Sequence, residues 1–210
     1  MDIKTFKKTP LMGIVRGVSI KDIEPLLETV ISAGLETIEI TMNTPSAADI
    51  IKRVCELSAG RIEVGAGTVL GMGSLEEAVG AGAGFIVSPV TEEDVLVHCV
   101  KNKIPVFPGA LTPQEVFNAW DMGASMVKIF PSSLFGPKYF KELKAPLDKV
   151  ELMAVGGVRP ENISEYFSCG ANAVAFGSSV FKKELLESGD FAAIGDLVRQ
   201  YVDGVKRAIG

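Results

Sequence analysis

Residues 11–44, LMGIVRGVSIKDIEPLLETVISAGLETIEITMNT, decide the fold. Leu11 to Val15 and Thr37 to Ile40 are short apolar, β-branched runs of the kind that form strands buried on both faces. Between them Ile23, Leu26, Leu27, Val30 and Ile31 fall at helical spacing and make one apolar stripe. Strand, helix and strand in this order form a crossover unit whose two strands run parallel. Pro25 fits only the first turn of that helix, which sets its start near Asp22.

The same unit repeats along the chain. Further runs occur at Ile62 to Val64, Phe85 to Val87, Ile104 to Phe107, Met126 to Ile129, Val150 to Val155 and Ala173 to Phe176, at intervals of about 20 to 26 residues. Helical patterns fill the gaps, as at Val95, Leu96 and Cys99. Thr44-Pro45 and Thr112-Pro113 each place an N-cap hydroxyl before a proline at the first helical position, and Glu115 completes a capping box with Thr112. No Pro/Ser-rich linker interrupts the series, so residues 1–210 are expected to form a single domain. Eight βα units in 210 residues predict a small α/β protein, a (β/α)8 TIM barrel. An open doubly wound sheet is the alternative, but it needs an edge strand and fewer units. The flanking segments Asp2 to Lys8 and Gly189 to Ile209 read as helices closing the barrel's ends.

Composition narrows the partners. The chain is 47% hydrophobic and 22% charged, with a net charge of −5 spread without blocks of one sign. That distribution argues against a nucleic-acid surface or a polybasic membrane anchor. The N-terminus carries no signal-like apolar core, and no apolar run approaches the roughly 18 residues of a membrane span, so a cytoplasmic location is expected. Cys55, Cys99 and Cys169 fit neither a disulfide framework nor a CxxC motif and read as buried apolar fillers.

A TIM barrel carries its chemistry at the C-terminal ends of its strands. Lys128 interrupts the apolar run Met126 to Ile129, where lost hydration would lower its pKa and leave a neutral, nucleophilic amine. A buried salt bridge or a snorkelling edge lysine would give the same pattern. Glu39 sits likewise in a strand, either moving protons with a raised pKa or simply pairing with Lys128 or Arg16. Arg16 offers a planar fork for a carboxylate, or a surface ion pair. Gly156-Gly157 and Gly177-Ser178-Ser179 follow the last two runs, where backbone N–H groups can hold a phosphate and where glycines also serve ordinary turns. Gly65-Ala66-Gly67 begins like a dinucleotide fingerprint but lacks its third glycine and its later acidic residue. The one histidine, His98, lies in a helical pattern, and no HxH or DxD group has metal-ligand spacing. No metal site is therefore expected, although Glu39 leaves a carboxylate-bound magnesium open.

Taken together, Ile14-Val15-Arg16-Gly17, Glu39-Ile40-Thr41, Gly65-Ala66-Gly67-Thr68-Val69, Ser88-Pro89, Lys128-Ile129-Phe130-Pro131 and Gly156-Gly157-Val158 resemble the 2-keto-3-deoxy-6-phosphogluconate (KDPG) / 4-hydroxy-2-oxoglutarate (KHG) aldolase family, in register from about residue 9 to residue 181. The resemblance implies a homotrimeric barrel and a metal-independent class I aldolase without a cofactor. Its substrate would be a phosphorylated keto acid, cleaved to pyruvate and glyceraldehyde 3-phosphate. By position Lys128 falls on the family's Schiff-base lysine and Glu39 on its general acid/base. Arg16 and Thr68 fall on the pyruvate carboxylate binders, Pro89 and Phe130 on the walls of the pyruvate pocket, and Gly157 with Ser178 on the phosphate site.

Two positions depart from the gluconate-type pattern: Asn43 stands in place of an arginine, and Val155 in place of a threonine. With Lys128 to Pro137 and Ala154 to Asn162, they are more similar to the members acting on the C4 epimer, 2-dehydro-3-deoxy-6-phosphogalactonate. The other readings are a 4-hydroxy-2-oxoglutarate aldolase releasing glyoxylate, a non-catalytic sugar-phosphate-binding barrel, and an acid/base isomerase. An isomerase would need a second carboxylate or a cysteine at a strand end, and none is found.

Overall fold

A computed structural model describes residues 1–210. One sheet contains β1 (Leu11–Val15), β2 (Thr37–Thr41), β3 (Glu63–Gly67), β4 (Ile86–Val87), β5 (Val106–Phe107), β6 (Gly109–Ala110), β7 (Val127–Ile129), β8 (Leu152–Val155) and β9 (Ala173–Phe176). Their order is β5-β4-β3-β2-β1-β9-β8-β7-β6, and every hydrogen-bonded pair is parallel. The two ends of the sheet, β5 and β6, are consecutive in the chain and separated only by Pro108. They are two halves of one strand position, so the sheet curls into a nearly closed eight-position barrel. The expected fifth run ended at Phe107, whereas the strand resumes for two residues beyond the proline.

Side chains alternate between two apolar layers, which is why the strands read as continuous apolar runs. Outward residues such as Leu11, Val15, Ile38, Ile40 and Val127 pack against the helices. Inward residues, among them Met12, Phe85, Val87, Phe107, Met126, Met153 and Ala175, fill the barrel together with Phe6. Phe107 makes edge-to-face contacts with Phe6 and Phe85, at centroid distances of 5.8 and 5.9 Å. Gly65 makes this possible, since a Cβ there would stand 2.4 Å from the Phe85 ring.

The helices are α1 (Ile3–Phe6), α2 (Ile23–Ser32), α3 (Ala47–Ser58), α4 (Met72–Gly80), α5 (Glu93–Lys101), α6 (Pro113–Asp121), α7 (Pro137–Lys144), α8 (Ile163–Ser168), α9 (Lys183–Ser188) and α10 (Phe191–Ile209). A 3-10 turn over Ile20–Asp22 precedes α2, leaving Pro25 in the first α-helical turn as required. The capping box of α6 is present, with Thr112 Oγ1 accepting from the Glu115 N–H and Glu115 Oε2 accepting from the Thr112 N–H. Thr44, in contrast, is not an N-cap: α3 begins only at Ala47, after Ser46 in a left-handed conformation. The buried Thr44 hydroxyl instead accepts from the Gly17 N–H at 3.0 Å and meets the Thr41 hydroxyl at 3.1 Å, tying the end of β1 to that of β2.

At the N-terminus α1 does close the barrel, through Phe6. The C-terminal helix does not close an end: α10 packs beside α2 and α8 as the eighth helix of the ring. All three cysteines are free; Cys99 is fully buried, which pushes its thiol up to about 11, but Cys55 and Cys169 are only half-buried. No helix is long and apolar enough to cross a membrane.

Candidate active site

A cavity of about 640 Å³ opens where the strands end. Ten of the expected site residues line it: Arg16, Asn43, Thr68, Pro89, Lys128, Phe130, Val155, Gly156, Gly177 and Ser178. Glu39 and Gly157 do not reach its wall.

Lys128, in β7, is only 6% exposed, and its Nζ lies 5.3 Å from the centroid of the Phe130 ring. Burial pulls its pKa down; the Arg16 charge adds to that effect, and Glu39 opposes it. Glu39, in β2, is 1% exposed, behind the cavity lining. Its Oε2 is buried without a hydrogen-bond partner, and no cation comes within 4.0 Å of the carboxylate. Burial is the main influence and raises its pKa against the pull of Lys128 and Arg16. Both groups are thus pushed toward their uncharged forms, and for the lysine that is the direction of greater nucleophilicity.

The room for Glu39 comes from β3. A Cβ on Gly67 would stand 2.2 Å from Glu39 Oε1. Gly65 and Gly67 are two residues apart on one strand face, so the Gly-Ala-Gly motif serves the barrel interior rather than a nucleotide. That spacing within an apolar run was the available sequence signal for Gly67.

Thr68 follows with φ +57°, a left-handed conformation that is uncommon for a β-branched residue and costs on the order of 1–3 kcal/mol. In this conformation its Oγ1 accepts a hydrogen bond from Arg16 Nη2 at 3.3 Å. The next residue is held firmly, with the Val69 carbonyl accepting from the buried Ser88 hydroxyl at 2.7 Å and its N–H donating to Val87. Pro89 continues that loop, over Gly109. On the opposite side the Phe130-Pro131 peptide is cis, and Ser132 Oγ links the loops by donating to the Ile129 carbonyl and accepting from the Val155 N–H.

Gly156 and Gly157 both have positive φ, +91° and +75°. Gly156 faces the cavity, while a Cβ on Gly157 would stand 2.7 Å from Ser133 Cβ. A side chain at Gly157 would therefore strike the Ser133 loop rather than enter the cavity. The Gly157 carbonyl accepts from Asn162 Nδ2. Beside Gly177 and Ser178 the wall is completed by Phe181, Lys183, Leu186 and Glu187, the last three on α9. Sequence reasoning missed this lysine. Lys183 is on a mostly exposed helix, 80% exposed itself, and its Nζ is 3.6 Å from Glu187 Oε1.

One end of the cavity thus presents a desolvated amine and a guanidinium, with the Glu39 carboxyl buried behind the wall, and the other presents glycine loops with Lys183 and Glu187. The first set can form an imine on a keto acid; the second can receive an anion at a distance from it.

Residues 3–197 match the family described as KDPG and KHG aldolase. The chain is 35% identical over 176 residues to 2-dehydro-3-deoxy-6-phosphogalactonate aldolase of Escherichia coli K12, covering 83% of this chain and 86% of the relative. It is 32% identical over 206 residues to 2-dehydro-3-deoxy-phosphogluconate aldolase of Haemophilus influenzae, covering 97% and 96%. Among solved structures, KDPG aldolase from Legionella pneumophila, with pyruvate captured at low pH as a covalent carbinolamine intermediate, superposes with a TM-score of 0.86 at 26% identity over 94% of this chain and 96% of that one.

Proposed function

The chain belongs to the KDPG and KHG aldolase family and is an aldolase of that class I type, and from this premise we propose that it cleaves 2-dehydro-3-deoxy-6-phosphogalactonate to pyruvate and glyceraldehyde 3-phosphate through an imine on Lys128. The observation that carries the reading is the desolvated Lys128 amine near the unpartnered Glu39 carboxyl.

Arg16 and Thr68 hold the substrate carboxylate, which turns the C2 ketone toward Lys128. The neutral amine adds to C2, and its proton passes to the new hydroxyl, giving a carbinolamine. Glu39, entering as the acid, protonates that hydroxyl, water departs, and a C2 iminium and a Glu39 carboxylate remain. The C3–C4 bond then breaks, its electrons passing into the iminium, while Glu39 takes the C4 hydroxyl proton through a water. The aldehyde leaves, the same proton goes from Glu39 to C3 of the enamine, and water adds to the resulting iminium, its released proton returning Glu39 to the acid form as pyruvate and the free amine separate. Pro89 and Phe130 wall the reacting end. Gly156, Gly177, Ser178 and Lys183 receive the phosphate, whose binding energy orients C4.

Asn43 and Val155 support the galactonate epimer: a short amide and an apolar side chain line the cavity in place of arginine and threonine. The cation and glycine loops at the far end favour a phosphorylated substrate over 4-hydroxy-2-oxoglutarate. We further propose that the chain acts in the cytoplasm as a single-domain protomer of a homotrimer, as the family resemblance implies; light scattering in solution reports the mass directly. The catalytic reading is tested by adding borohydride with pyruvate and mapping the mass increase. Modification of the Lys128 peptide with loss of activity is expected, and trapping on another lysine overturns the assignment. A coupled pyruvate-release assay with the two C4 epimers in parallel decides the substrate.

A further inference from the structure

Tyr201, on α10, is 2% exposed and lies outside the cavity, yet its hydroxyl joins the two loops that bound the anion end. It donates to the Val158 carbonyl at 2.8 Å, in the loop carrying Gly156 and Gly157. It also lies 2.9 Å from Ser179 Oγ, beside Ser178 in the other loop. Proton accounting fixes the directions. A carbonyl only accepts, so the single phenolic hydrogen goes to Val158, and the Ser179 hydroxyl must donate to Tyr201. Burial raises the phenol's pKa, keeping that hydrogen in place across the neutral range.

The two loops meet at no other side-chain hydrogen bond. Asn162 secures the first of them from within, bonding the Gly157 carbonyl and the Arg159 N–H, but does not reach the second. Tyr201 is itself anchored by its ring, 4.6 Å centroid to centroid from Phe176 at the end of β9. Backbone donors bind an anion well only when their spacing is set beforehand.

We infer that Tyr201 is a positioning residue for the distal anion of the substrate: its hydroxyl fixes the spacing between the Gly156-Gly157-Val158 loop and the Gly177-Ser178-Ser179 loop, and so sets affinity for the phosphoryl group without touching it. This rests on the reading that the anion end takes the phosphate. Tyr201→Phe removes the hydroxyl and leaves the ring, and Ser179→Ala removes one of the two bonds from the loop side.

The test runs in the condensation direction, pyruvate with either glyceraldehyde 3-phosphate or glyceraldehyde. For Tyr201→Phe, KM for the phosphorylated aldehyde is expected to rise about 5- to 30-fold, the usual scale for one or two hydrogen bonds. KM for the unphosphorylated aldehyde, kcat and borohydride trapping with pyruvate stay as in the wild type. Ser179→Ala should show the same selective rise, smaller in size, and should add little to Tyr201→Phe. A purely structural role would lower activity toward both aldehydes together, and that result, or no change in either variant, overturns the inference. If the wild type itself does not distinguish the two aldehydes, the phosphate reading is overturned first, and the role of Tyr201 with it.

Discussion

Gly67 faces Glu39 across the β2–β3 pair, so closely that a Cβ would lie 2.2 Å from Oε1 and 2.6 Å from the carboxyl carbon. The position is not left-handed, so an alanine there meets no backbone strain, only the carboxyl. Gly67→Ala must displace Glu39 from its place behind Lys128. Turnover should fall about 100-fold, the usual cost of losing a positioned acid/base. Pyruvate should still be trapped on Lys128. A steady-state assay run beside borohydride trapping checks both, and unchanged turnover would show that the carboxyl's position is not critical.

The raised pKa of Glu39 also makes a stability prediction. Above the ordinary value of 4.5 the unfolded chain holds Glu39 ionised, while the folded chain binds its proton more tightly. Its favourable contribution is complete below 4.5 and is lost as pH rises through the folded-state pKa. Glu39→Gln, which cannot ionise, should therefore melt higher than the wild type at pH 8, with the difference shrinking toward pH 5. Thermal melts at the two pH values report it. A difference independent of pH would mean that burial is not what holds this proton.

Lys128 and Glu39 were legible because each breaks an apolar strand with a charge, and a charge buried there demands a reason. The eight strand positions were legible for the related reason that both faces of each are apolar. Pro108 was not read as a strand interruption, because the residues past it, Gly109 and Ala110, carry no β-branched signal. The role of Thr44 escaped because an N-cap and a loop clasp use the same hydroxyl, and only the tertiary fold places the Gly17 N–H beside it. The extra helix α9 displaced the ring helix α10 by one element, and Lys183 came with it, on an exposed helix where a lysine interrupts nothing. At Gly157 the missing side chain points toward Ser133 rather than the cavity, a direction that sequence does not give.

Val155 lines the cavity, and its backbone N–H is already fixed by Ser132 Oγ. Val155→Thr therefore changes the chemistry of one nearly isosteric side chain on a held backbone. A hydroxyl paired with one C4 configuration and mispaired with the other is worth ~1–3 kcal/mol, about 5- to 150-fold. The ratio of kcat/KM for the galactonate and gluconate epimers should favour galactonate in the wild type and shift toward gluconate in the variant. Equal rates for both epimers in both proteins would mean that this position does not sense C4.

Lys183 lines the cavity from α9, and Glu187, 3.6 Å from it, lines the same wall. An exposed cation meeting a phosphate falls between a surface ion pair and a buried charge-assisted bond in strength. Lys183→Ala should raise KM for the phosphorylated substrate about 3- to 10-fold at low salt. Because the interaction is solvent-exposed, raising the ionic strength should erode the wild type's advantage, so the two KM values converge near 1 M salt, where screening acts within about 3 Å. Glu187→Gln should have the opposite sign, freeing Lys183 and removing a negative charge from the approach of a dianion. KM measured for the three proteins across a salt series separates these effects. If the KM values of Lys183→Ala and the wild type coincide at every ionic strength, α9 only covers the cavity, and the phosphate is held by the backbone of the two glycine loops alone.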